Sequence, residues 1–323
     1  MITTRPVLAV RDLTVEYAVE SGSVRAVDQV SFDVSPREFI GIVGESGCGK
    51  STLLFAIARL LTPPARVVSG GVQLQGRDLL AMDEEELREI RWRDYSVVMQ
   101  SAMNALNPVL TVGEQLQDTI AAHEAMSPAR VRERSASLLR LVGIDPAHLK
   151  SYPHQLSGGM RQRAMISMAL VFTPDLVIMD EPTSALDVVG QRSLMLQIKE
   201  LQRKIGFAAI FVTHDMSLVS HFSDRLAVMY AGQFVELGPT RELFDDPKHP
   251  YTRALMQSFP SIVGPRQALQ GIPGTPPDLA HPPTGCRFSP RCPLVEPRFR
   301  VESPPAVSMG SRMVRCHRYG GEP

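Results

Sequence analysis

Residues Gly44 to Ser51 have the composition of a loop that binds phosphate. They fit the pattern G-x-x-x-x-G-K-[ST], with the apolar run Phe39 to Val43 before them and the helix-forming stretch Ser51 to Leu61 after them. Glycines let backbone N–H groups approach a phosphate, and a helix N-terminus adds free donors and the positive end of the helix dipole. We therefore expect Lys50 to neutralise phosphate charge and the Ser51 hydroxyl to ligate Mg²⁺.

Two more apolar runs end in side chains that could act on a phosphate. The run from Asp175 to Met179 leads directly into Asp180 and Glu181, and the run from Ala208 to Val212 leads to His214. We expect Asp180 to hold the Mg²⁺ shell, Glu181 to polarise the attacking water and His214 to contact the γ-phosphate. The alternatives are a pair of solvated helix-capping acids and an ordinary surface or core histidine.

Cys48 lies inside the predicted phosphate loop. The helix N-terminus that follows should lower the pKa of its thiol, and we expect alkylation there to block nucleotide binding by steric conflict. The alternative is that a small residue is merely tolerated at this position.

Together these motifs resemble the ATP-binding cassette of ABC transporters over roughly residues 5 to 260. The likeness rests on the order and spacing of Gly44 to Ser51, Gln100, Leu156 to Gln162, Asp180-Glu181, Ser184 to Asp187 and His214. It implies an α/β fold of the P-loop NTPase type, with a RecA-like core, an antiparallel β subdomain and a helical ABC subdomain, followed by a small Pro/Cys-rich C-terminal domain. It also implies that Ser157, Gly158 and Gly159 form a second anion nest, which contacts the γ-phosphate held by the opposite subunit.

The same resemblance gives roles to three further residues. Gln100 would link the Mg²⁺ and the water to the helical subdomain, and Asp187 would couple the two sites. Tyr17 would stack on adenine, although its alternation with Leu13 and Val15 also fits a core residue. The complete set of expected nucleotide contacts is Tyr17, Gly44, Glu45, Ser46, Gly47, Cys48, Gly49, Lys50, Ser51, Thr52, Ser157, Gly158, Gly159 and Asp187; the expected Mg²⁺ ligands are Ser51, Gln100 and Asp180, and the expected catalytic residues are Glu181, His214 and Gln100.

A narrower likeness is to the D-type ATPase subunit of dipeptide and oligopeptide importers. It rests on Arg59 to Leu61, Gly76 to Leu80, Ala105 to Gln115, His249 to Leu255 and Ile272 to Pro277. It implies an ATPase that works with two membrane permeases, a second cassette ATPase as heterodimer partner and an extracytoplasmic solute-binding protein. The subunit would lie peripherally on the cytoplasmic face of the cell membrane, with residues Met103 to Pro108 suited to contact a permease.

Three alternatives stay open at this level. The same importer type also carries nickel and other small solutes, so the cargo is not fixed. A soluble ABC ATPase acting on nucleic acid or ribosomes is a second class, although one cassette without sustained heptads argues against it. A regulator whose tail senses a metal is a third.

The composition agrees with a peripheral cytosolic subunit. The chain has 323 residues, and its 34 basic residues balance 34 acidic ones, which argues against a nucleic-acid clamp. No apolar stretch approaches the ~20 residues that span a bilayer, and the N-terminus lacks the regions of a signal peptide. We expect a nucleotide-binding domain over 1–260, with its helical subdomain at about 101–173, and a C-terminal domain over 261–323. Sixteen of the 26 prolines fall at or after Pro239, which predicts a turn-rich tail with few regular elements.

The tail, residues 261–323, contains three of the four cysteines: Cys286, Cys292 and Cys316. The resemblance implies a four-cysteine iron–sulfur site, [4Fe-4S], but Phe299 stands where the third cysteine is expected. His317 or His281 would then be a candidate fourth ligand. The alternatives are zinc bound with one histidine, and plain buried thiols. A disulfide is not expected in a reducing cytosol.

Overall fold

The computed structural model describes residues 5–20, 22–100, 105–184, 186–258 and 271–320. The strands are β1 (Leu8–Val19), β2 (Gly22–Val34), β3 (Phe39–Val43), β4 (Ala65–Leu74), β5 (Arg77–Asp78), β6 (Tyr95–Val98), β7 (Leu176–Asp180), β8 (Ala208–Val212), β9 (Arg225–Tyr230), β10 (Gln233–Pro239), β11 (Ala306–Met309) and β12 (Arg312–Arg315). The α-helices are α1 (Lys50–Ile57), α2 (Glu84–Ile90), α3 (Val112–Ala121), α4 (Pro128–Leu141), α5 (Gly158–Ala169), α6 (Val188–Ile205), α7 (Met216–Phe222), α8 (Thr240–Asp245) and α9 (Pro250–Gln257). Short 3₁₀ turns lie at Pro146–Lys150, Pro153–Gln155, Ser289–Arg291 and Pro297–Arg300.

The chain divides into two compact units, each made of three segments. Unit 1 consists of Met1–Leu8, Val34–Glu38 and Ala81–Phe211, and unit 2 consists of Ala9–Asp33, Phe39–Leu80 and Val212–Pro323. None of the helices in the described parts of the chain is both long and apolar enough to cross a membrane.

Unit 1 combines parallel strands with a block of helices. Its strands follow the order β8-β7-β6, and β6 and β7 pair in parallel. All five residues of β7 are buried, which is the pattern of a strand covered on both faces. In α3, Val112, Leu116 and Ile120 are buried at a spacing of four residues, so one face of the helix packs inward.

Helix starts in this block follow from local sequence. Thr111 and Glu114 form a capping box at the start of α3, and Ser127 caps α4 ahead of Pro128. These caps satisfy backbone donors that the first turn of each helix leaves unpaired.

Unit 2 contains a sheet of order β2-β1-β4-β5 and a set of strands in the order β11-β12-β10-β9-β3. In that second set β3 pairs in parallel with β9, whereas the pairs β9–β10, β10–β12 and β11–β12 are antiparallel. The strand β3 is buried throughout and leads straight into the phosphate loop, as its apolar sequence predicts.

The tail is more regular than the proline content predicts. Its strands β11 and β12 form a hairpin with Met309 opposite Arg312, and β12 extends the sheet beside β10. The two residues between them, Gly310 and Ser311, make a two-residue hairpin loop, and Gly310 takes a φ of 62°. The signal was present in the sequence as two short runs flanking Gly-Ser.

Candidate functional site

The phosphate loop, Gly44–Ser51, connects β3 to α1 within unit 2. Lys50 is only 8% exposed, and its Nζ donates hydrogen bonds to the carbonyl oxygens of Gly44 and Glu45, both at 2.8 Å. Ser46 and Gly47 form the exposed tip of the loop, and a Cβ built on Gly47 would meet no described atom within 4 Å. The ammonium group is therefore folded over the loop, whose tip is open.

Gly49 is the N-cap of α1 and can be no other residue in this backbone. Its φ is 106°, and an added Cβ would lie 2.1 Å from the carbonyl oxygen of Ala26. Since glycine offers no capping side chain, the first N–H groups of α1 depend on other acceptors, and an anion is the natural one.

Tyr17 lies beside this helix rather than in the core. Leu13 and Val15 are fully buried, but Tyr17 is half-buried, and its Oη lies 3.1 Å from the Oγ1 of Thr52. The core interpretation of Tyr17 is thus not what the structure shows. The structure joins two of the predicted nucleotide contacts, Tyr17 and Thr52, within unit 2.

Cys48 contradicts the expected activation of its thiol. It is 6% exposed, and burial raises its pKa more than the neighbouring Lys50 ammonium, 3.6 Å from Sγ, lowers it. The prediction of a lowered pKa is wrong because desolvation outweighs the positive surroundings.

Glu45 is held by residues that sequence reasoning missed. Its backbone N–H donates to the Tyr251 Oη at 3.0 Å, and its carboxylate accepts two hydrogen bonds from Arg291. Both partners lie more than 200 positions away in sequence, and no local pattern pairs them with Glu45.

In unit 1, Glu181, which is predicted to activate water, is in contact with Gln100. The Nε2 of Gln100 donates to the Oε2 of Glu181 at 2.8 Å. Asp180, at the end of β7, is 2% exposed, and Glu181 after it takes a left-handed φ of 45°. Such a backbone conformation is uncommon for a non-glycine residue and is often found at functional sites.

The donor chemistry of the predicted metal ligands fits Mg²⁺. Asp180 offers a carboxylate, Ser51 a hydroxyl and Gln100 an amide oxygen, and hard oxygen donors of this kind are the ligands that Mg²⁺ takes. Asp180 and Gln100 belong to unit 1, whereas Ser51 belongs to unit 2.

The segment Leu156–Gln162 begins α5 as an anion nest should. Ser157 is the N-cap and accepts from the N–H of Met160 at 3.3 Å, while a Cβ at Gly159 would meet no described atom within 4 Å. Gln162 is buried and donates to the carbonyl oxygen of Pro182, just after Glu181. This bond ties the first turns of α5 to the loop that follows Glu181, the carboxylate predicted to activate water.

Asp187 and His214 each lie just before the start of a helix. Asp187 caps α6 by accepting from the N–H of Gly190 at 2.7 Å. His214 is exposed in the bend between β8 and α7. Of the segment Met103 to Pro108, residues 103 and 104 fall outside the described residues.

The three tail cysteines line one small cavity of about 10 Å³, together with Phe299 and His317. Burial raises the pKa of all three thiols, that of Cys286 to about 11. Among the described residues, no group of three or more His, Cys, Asp or Glu side chains is placed to hold a metal.

The candidate fourth ligands are engaged elsewhere. His317 stacks on Phe299 at 4.7 Å between ring centroids, and its Nε2 lies 2.8 Å from the carbonyl oxygen of Glu302. His281 is exposed and pairs with Asp278 at 3.2 Å. The tail as described therefore does not fit a four-ligand iron–sulfur or zinc centre, and we assign no chemistry to one.

Two family models match the chain. The model of the ABC transporter matches residues 27–184, and that of the oligopeptide/dipeptide transporter C-terminal region matches residues 235–298.

Curated relatives match most of the chain. The dipeptide transport ATP-binding protein DppD of Caldanaerobacter subterraneus is 42% identical over 316 residues, which is 97% of this chain and 97% of the relative. DppD of Bacillus subtilis is 47% identical over 290 residues, or 89% of this chain and 87% of the relative. DppD of Escherichia coli is 42% identical over 314 residues, or 96% of each.

Solved cassettes share the fold. The dimeric post-hydrolysis state of the ATP-binding cassette MJ0796 bound to ADP and Pi gives a TM-score of 0.65 at 29% identity, covering 72% of this chain and 99% of that one. The structure of cbiO1 from Clostridium perfringens, part of the ABC transporter complex cbiONQ, gives 0.64 at 28% identity, covering 75% and 91%. The predicted α/β fold of the P-loop NTPase type is thereby confirmed.

These likenesses agree with the phosphate loop, with the start of α5 at Ser157 and with the adjacent carboxylates Asp180 and Glu181. ATP, with Mg²⁺, is the substrate that such a cassette hydrolyses. The chain belongs to the ABC transporter family, as an ATPase subunit of the oligopeptide/dipeptide transporter type.

Proposed function

We propose that this subunit powers the import of dipeptides or oligopeptides through a pair of membrane permeases. The observation that carries the proposal is that the ABC transporter model matches residues 27–184 and the model of the oligopeptide/dipeptide transporter C-terminal region matches residues 235–298 of the same chain. Relatives that are 40–47% identical are named dipeptide transport or peptide import ATP-binding proteins, and these names support peptides as the cargo.

The subunit works as half of an ATP sandwich. The phosphate loop of one subunit holds the triphosphate, and Ser157, Gly158 and Gly159 of this chain face the γ-phosphate of the other site. The open, capped start of α5 supports this role, because its glycines leave room for a phosphate next to backbone N–H groups. Hydrolysis removes the γ-phosphate and with it the contact that holds the two subunits together.

Within each site the residues divide the work. Lys50 and the loop N–H groups bind the β- and γ-phosphates, and Tyr17 stacks on adenine. Glu181 acts as the general base on the attacking water, and Gln100 orients Glu181. His214 contacts the γ-phosphate. Ser51, Asp180 and Gln100 would hold Mg²⁺, which would neutralise negative charge on the β- and γ-phosphates. Asp187, at the start of α6, couples the two sites.

Exposed apolar side chains in unit 1 support contacts with partners. Val188 and Val189, directly after Asp187, are 76% and 79% exposed, and Val109 is 74% exposed. We assign the pair beside Asp187 to the second cassette, in a heterodimer, and Val109 to a permease. The subunit then sits on the cytoplasmic face of the cell membrane, and a solute-binding protein delivers cargo from outside.

The chain divides functionally into a nucleotide-binding domain over 1–260, with its helical subdomain at about 101–173, and a C-terminal domain over 261–323. The match of one family model to 27–184 and of another to 235–298 supports a two-part organisation.

The test is to purify tagged Glu181→Gln protein from its native membranes with MgATP and to identify what co-purifies by mass spectrometry. Lys50→Ala, which should bind ATP poorly, is the matched control. Two permeases, a second cassette and a peptide-binding protein that are enriched only with Glu181→Gln would support the proposal. Ribosomal or DNA-associated partners, or a nickel-binding protein, would overturn it.

A further inference from the structure

Glu45 of the phosphate loop is fixed at each of its polar groups. Its N–H donates to the Tyr251 Oη at 3.0 Å, and its carbonyl oxygen accepts from the Lys50 Nζ at 2.8 Å. Its carboxylate accepts from Arg291 at both oxygens, from Nη1 at 2.6 Å and from Nη2 at 2.9 Å. This is the bidentate geometry that makes arginine–carboxylate pairs strong and directional.

Arg291 is in turn held by two carbonyl oxygens of the tail and by Tyr230 of β9. Its side chain is only 3% exposed, and besides Glu45 it donates from Nε to Pro273 O, from Nη1 to Tyr230 Oη and from Nη2 to Ile272 O. These contacts use all five N–H groups of the guanidinium. A lysine, with three donors at a single point, cannot reproduce them.

The contact is backed by packed aromatic rings. Tyr230, Tyr251 and Phe288 lie with ring centroids 4.5–5.5 Å apart, and Phe288 is three residues before Arg291. Because this cluster is buried and closely packed, it restricts the positions that Arg291 can take beside the phosphate loop.

A second arginine of the tail is connected to the phosphate loop through residues 231 and 232. Arg287 donates to Asp28 Oδ2 at 2.6 Å and also to Ala231 O. Gly232, which follows Ala231 in the chain, donates its N–H to the carbonyl oxygen of Cys48 at 2.8 Å. The tail therefore contacts the phosphate loop directly through Arg291 and indirectly through Arg287.

An acidic side chain in a loop that binds triphosphate needs an explanation. An unpaired Glu45 carboxylate would repel phosphate, and its side chain would not be held in one direction. Arg291 removes both problems because it neutralises the carboxylate and fixes its direction.

We propose that Arg291 is a positioning residue of the ATP site, which holds the phosphate loop ready for the triphosphate through Glu45 and so makes ATP affinity depend on the folded tail. Arg291 acts before binding, on the shape and charge of the loop. It should therefore affect the affinity for ATP much more than the rate of hydrolysis once ATP is bound.

The experiment measures the Kd for MgATP and the KM and kcat of the purified full-length chain for Arg291→Gln, Arg291→Lys, Glu45→Gln and the double variant Glu45→Gln/Arg291→Gln. The control is Arg298→Gln, an exposed tail arginine that pairs with Glu296 at 3.6 Å. Unfolding temperatures without nucleotide report on the tail itself.

We expect Arg291→Gln to raise Kd and KM by about tenfold or more while kcat at saturating ATP stays within about threefold, with Arg291→Lys between it and the wild type. In the Glu45→Gln background, Arg291→Gln should raise the Kd by less than about threefold, because the carboxylate charge that Arg291 balances is already gone. A purely structural arginine would lower the unfolding temperature and leave Kd near that of Arg298→Gln, and this result would overturn the proposal. Equal effects of Arg291→Gln with and without Glu45→Gln would overturn it as well. If Arg291→Gln fails to fold, the comparison of Arg291→Lys with and without Glu45→Gln decides on the same criteria.

The inference rests on ATP binding at this loop. Lys50→Ala tests that premise separately. If the Kd for MgATP is unchanged in Lys50→Ala, ATP does not bind at this loop, and that conclusion holds whatever the Arg291 variants show.

Discussion

Gln100 donates a hydrogen bond from Nε2 to the Oε2 of Glu181 at 2.8 Å, which places the amide against the carboxylate proposed to activate water. Replacing Glu181 by Gln keeps the shape and removes the base. We expect ATP binding to persist and hydrolysis to slow by about 10²–10⁴-fold, the usual contribution of a general base. Single-turnover hydrolysis alongside MgATP binding checks this, and turnover at the wild-type rate would mean that another residue orients the water.

Replacing Gln100 by Ala should lower kcat by about tenfold, because the carboxylate loses the group that orients it. In the Glu181→Gln background the same change should cost much less, since residues that act as a unit are not additive. Equal losses in both backgrounds would show that Gln100 acts independently of Glu181.

Ser157→Ala should weaken ATP-dependent association of two cassettes while leaving ATP binding by a single chain intact. The serine also caps α5, so some stability, about 1 kcal/mol, should be lost with it. Ser127→Ala, which removes the equivalent cap of α4, is the matched control for that loss. Sedimentation of the Glu181→Gln protein with its co-purified partner cassette and MgATP measures association, and equal dimer fractions for the two serine variants would contradict the role of Ser157.

Cys48 should react with N-ethylmaleimide at least about tenfold more slowly than the half-buried Cys292, because its thiol is almost inaccessible and burial raises its pKa. Once modified, it should prevent ATP binding, since an adduct cannot fit inside the packed loop. Peptide mass spectrometry over a reaction time course gives both rates. Cys48→Ser should keep ATP binding and resist inactivation, and full ATP affinity in protein alkylated at Cys48 would exclude the steric argument.

The burial of His249 predicts that the folded protein loses stability in acid. It is 1% exposed, and burial lowers its pKa to about 3 from 6.5. Between these values the unfolded chain binds a proton that the folded chain does not, so stability falls as the pH drops below about 6.5, by about 2 kcal/mol down to pH 5 and by about 5 kcal/mol down to pH 3. Buried Glu236, whose pKa burial raises, contributes in the opposite direction.

The contribution of His249 is isolated by His249→Asn, whose side-chain oxygen can still accept the N–H of Tyr251 that the His249 Nδ1 accepts at 3.0 Å. Urea unfolding at pH 7.5, 6.0 and 5.0 should show a shallower decline than in the wild type. His281→Asn, at an exposed histidine, should follow the wild-type decline. Identical pH slopes in all three proteins would contradict the assignment.

The tail cysteines should bind less than one iron–sulfur cluster per chain after anaerobic purification, because Phe299 and His317 stack on each other in the small cavity that the three cysteines line and leave only three thiols as ligands. Phe299→Cys should raise the content of iron and acid-labile sulfide by supplying a fourth thiolate. A full cluster in the wild-type chain would mean that a ligand outside the described arrangement completes it.

The sequence alone determined the features that depend on neighbouring residues. The buried strand β3, the glycines of the phosphate loop and the start of α1 follow each other within twenty positions, and local backbone sterics decide their conformation. The same is true of the Ser157 cap of α5. The hairpin of β11 and β12 also depends on neighbouring residues, namely two short runs joined by Gly310-Ser311. The high proline content of the tail nevertheless predicted few regular elements there.

Only the tertiary structure decided which distant groups meet and how far each is desolvated. Arg291 and Glu45 are 246 positions apart, and Gln100 and Glu181 are 81 positions apart, so no spacing rule pairs them. The raised pKa of Cys48 and the lowered pKa of His249 both come from burial. Burial depends on packing between elements far apart in the chain, and a local pattern of residue types does not contain it.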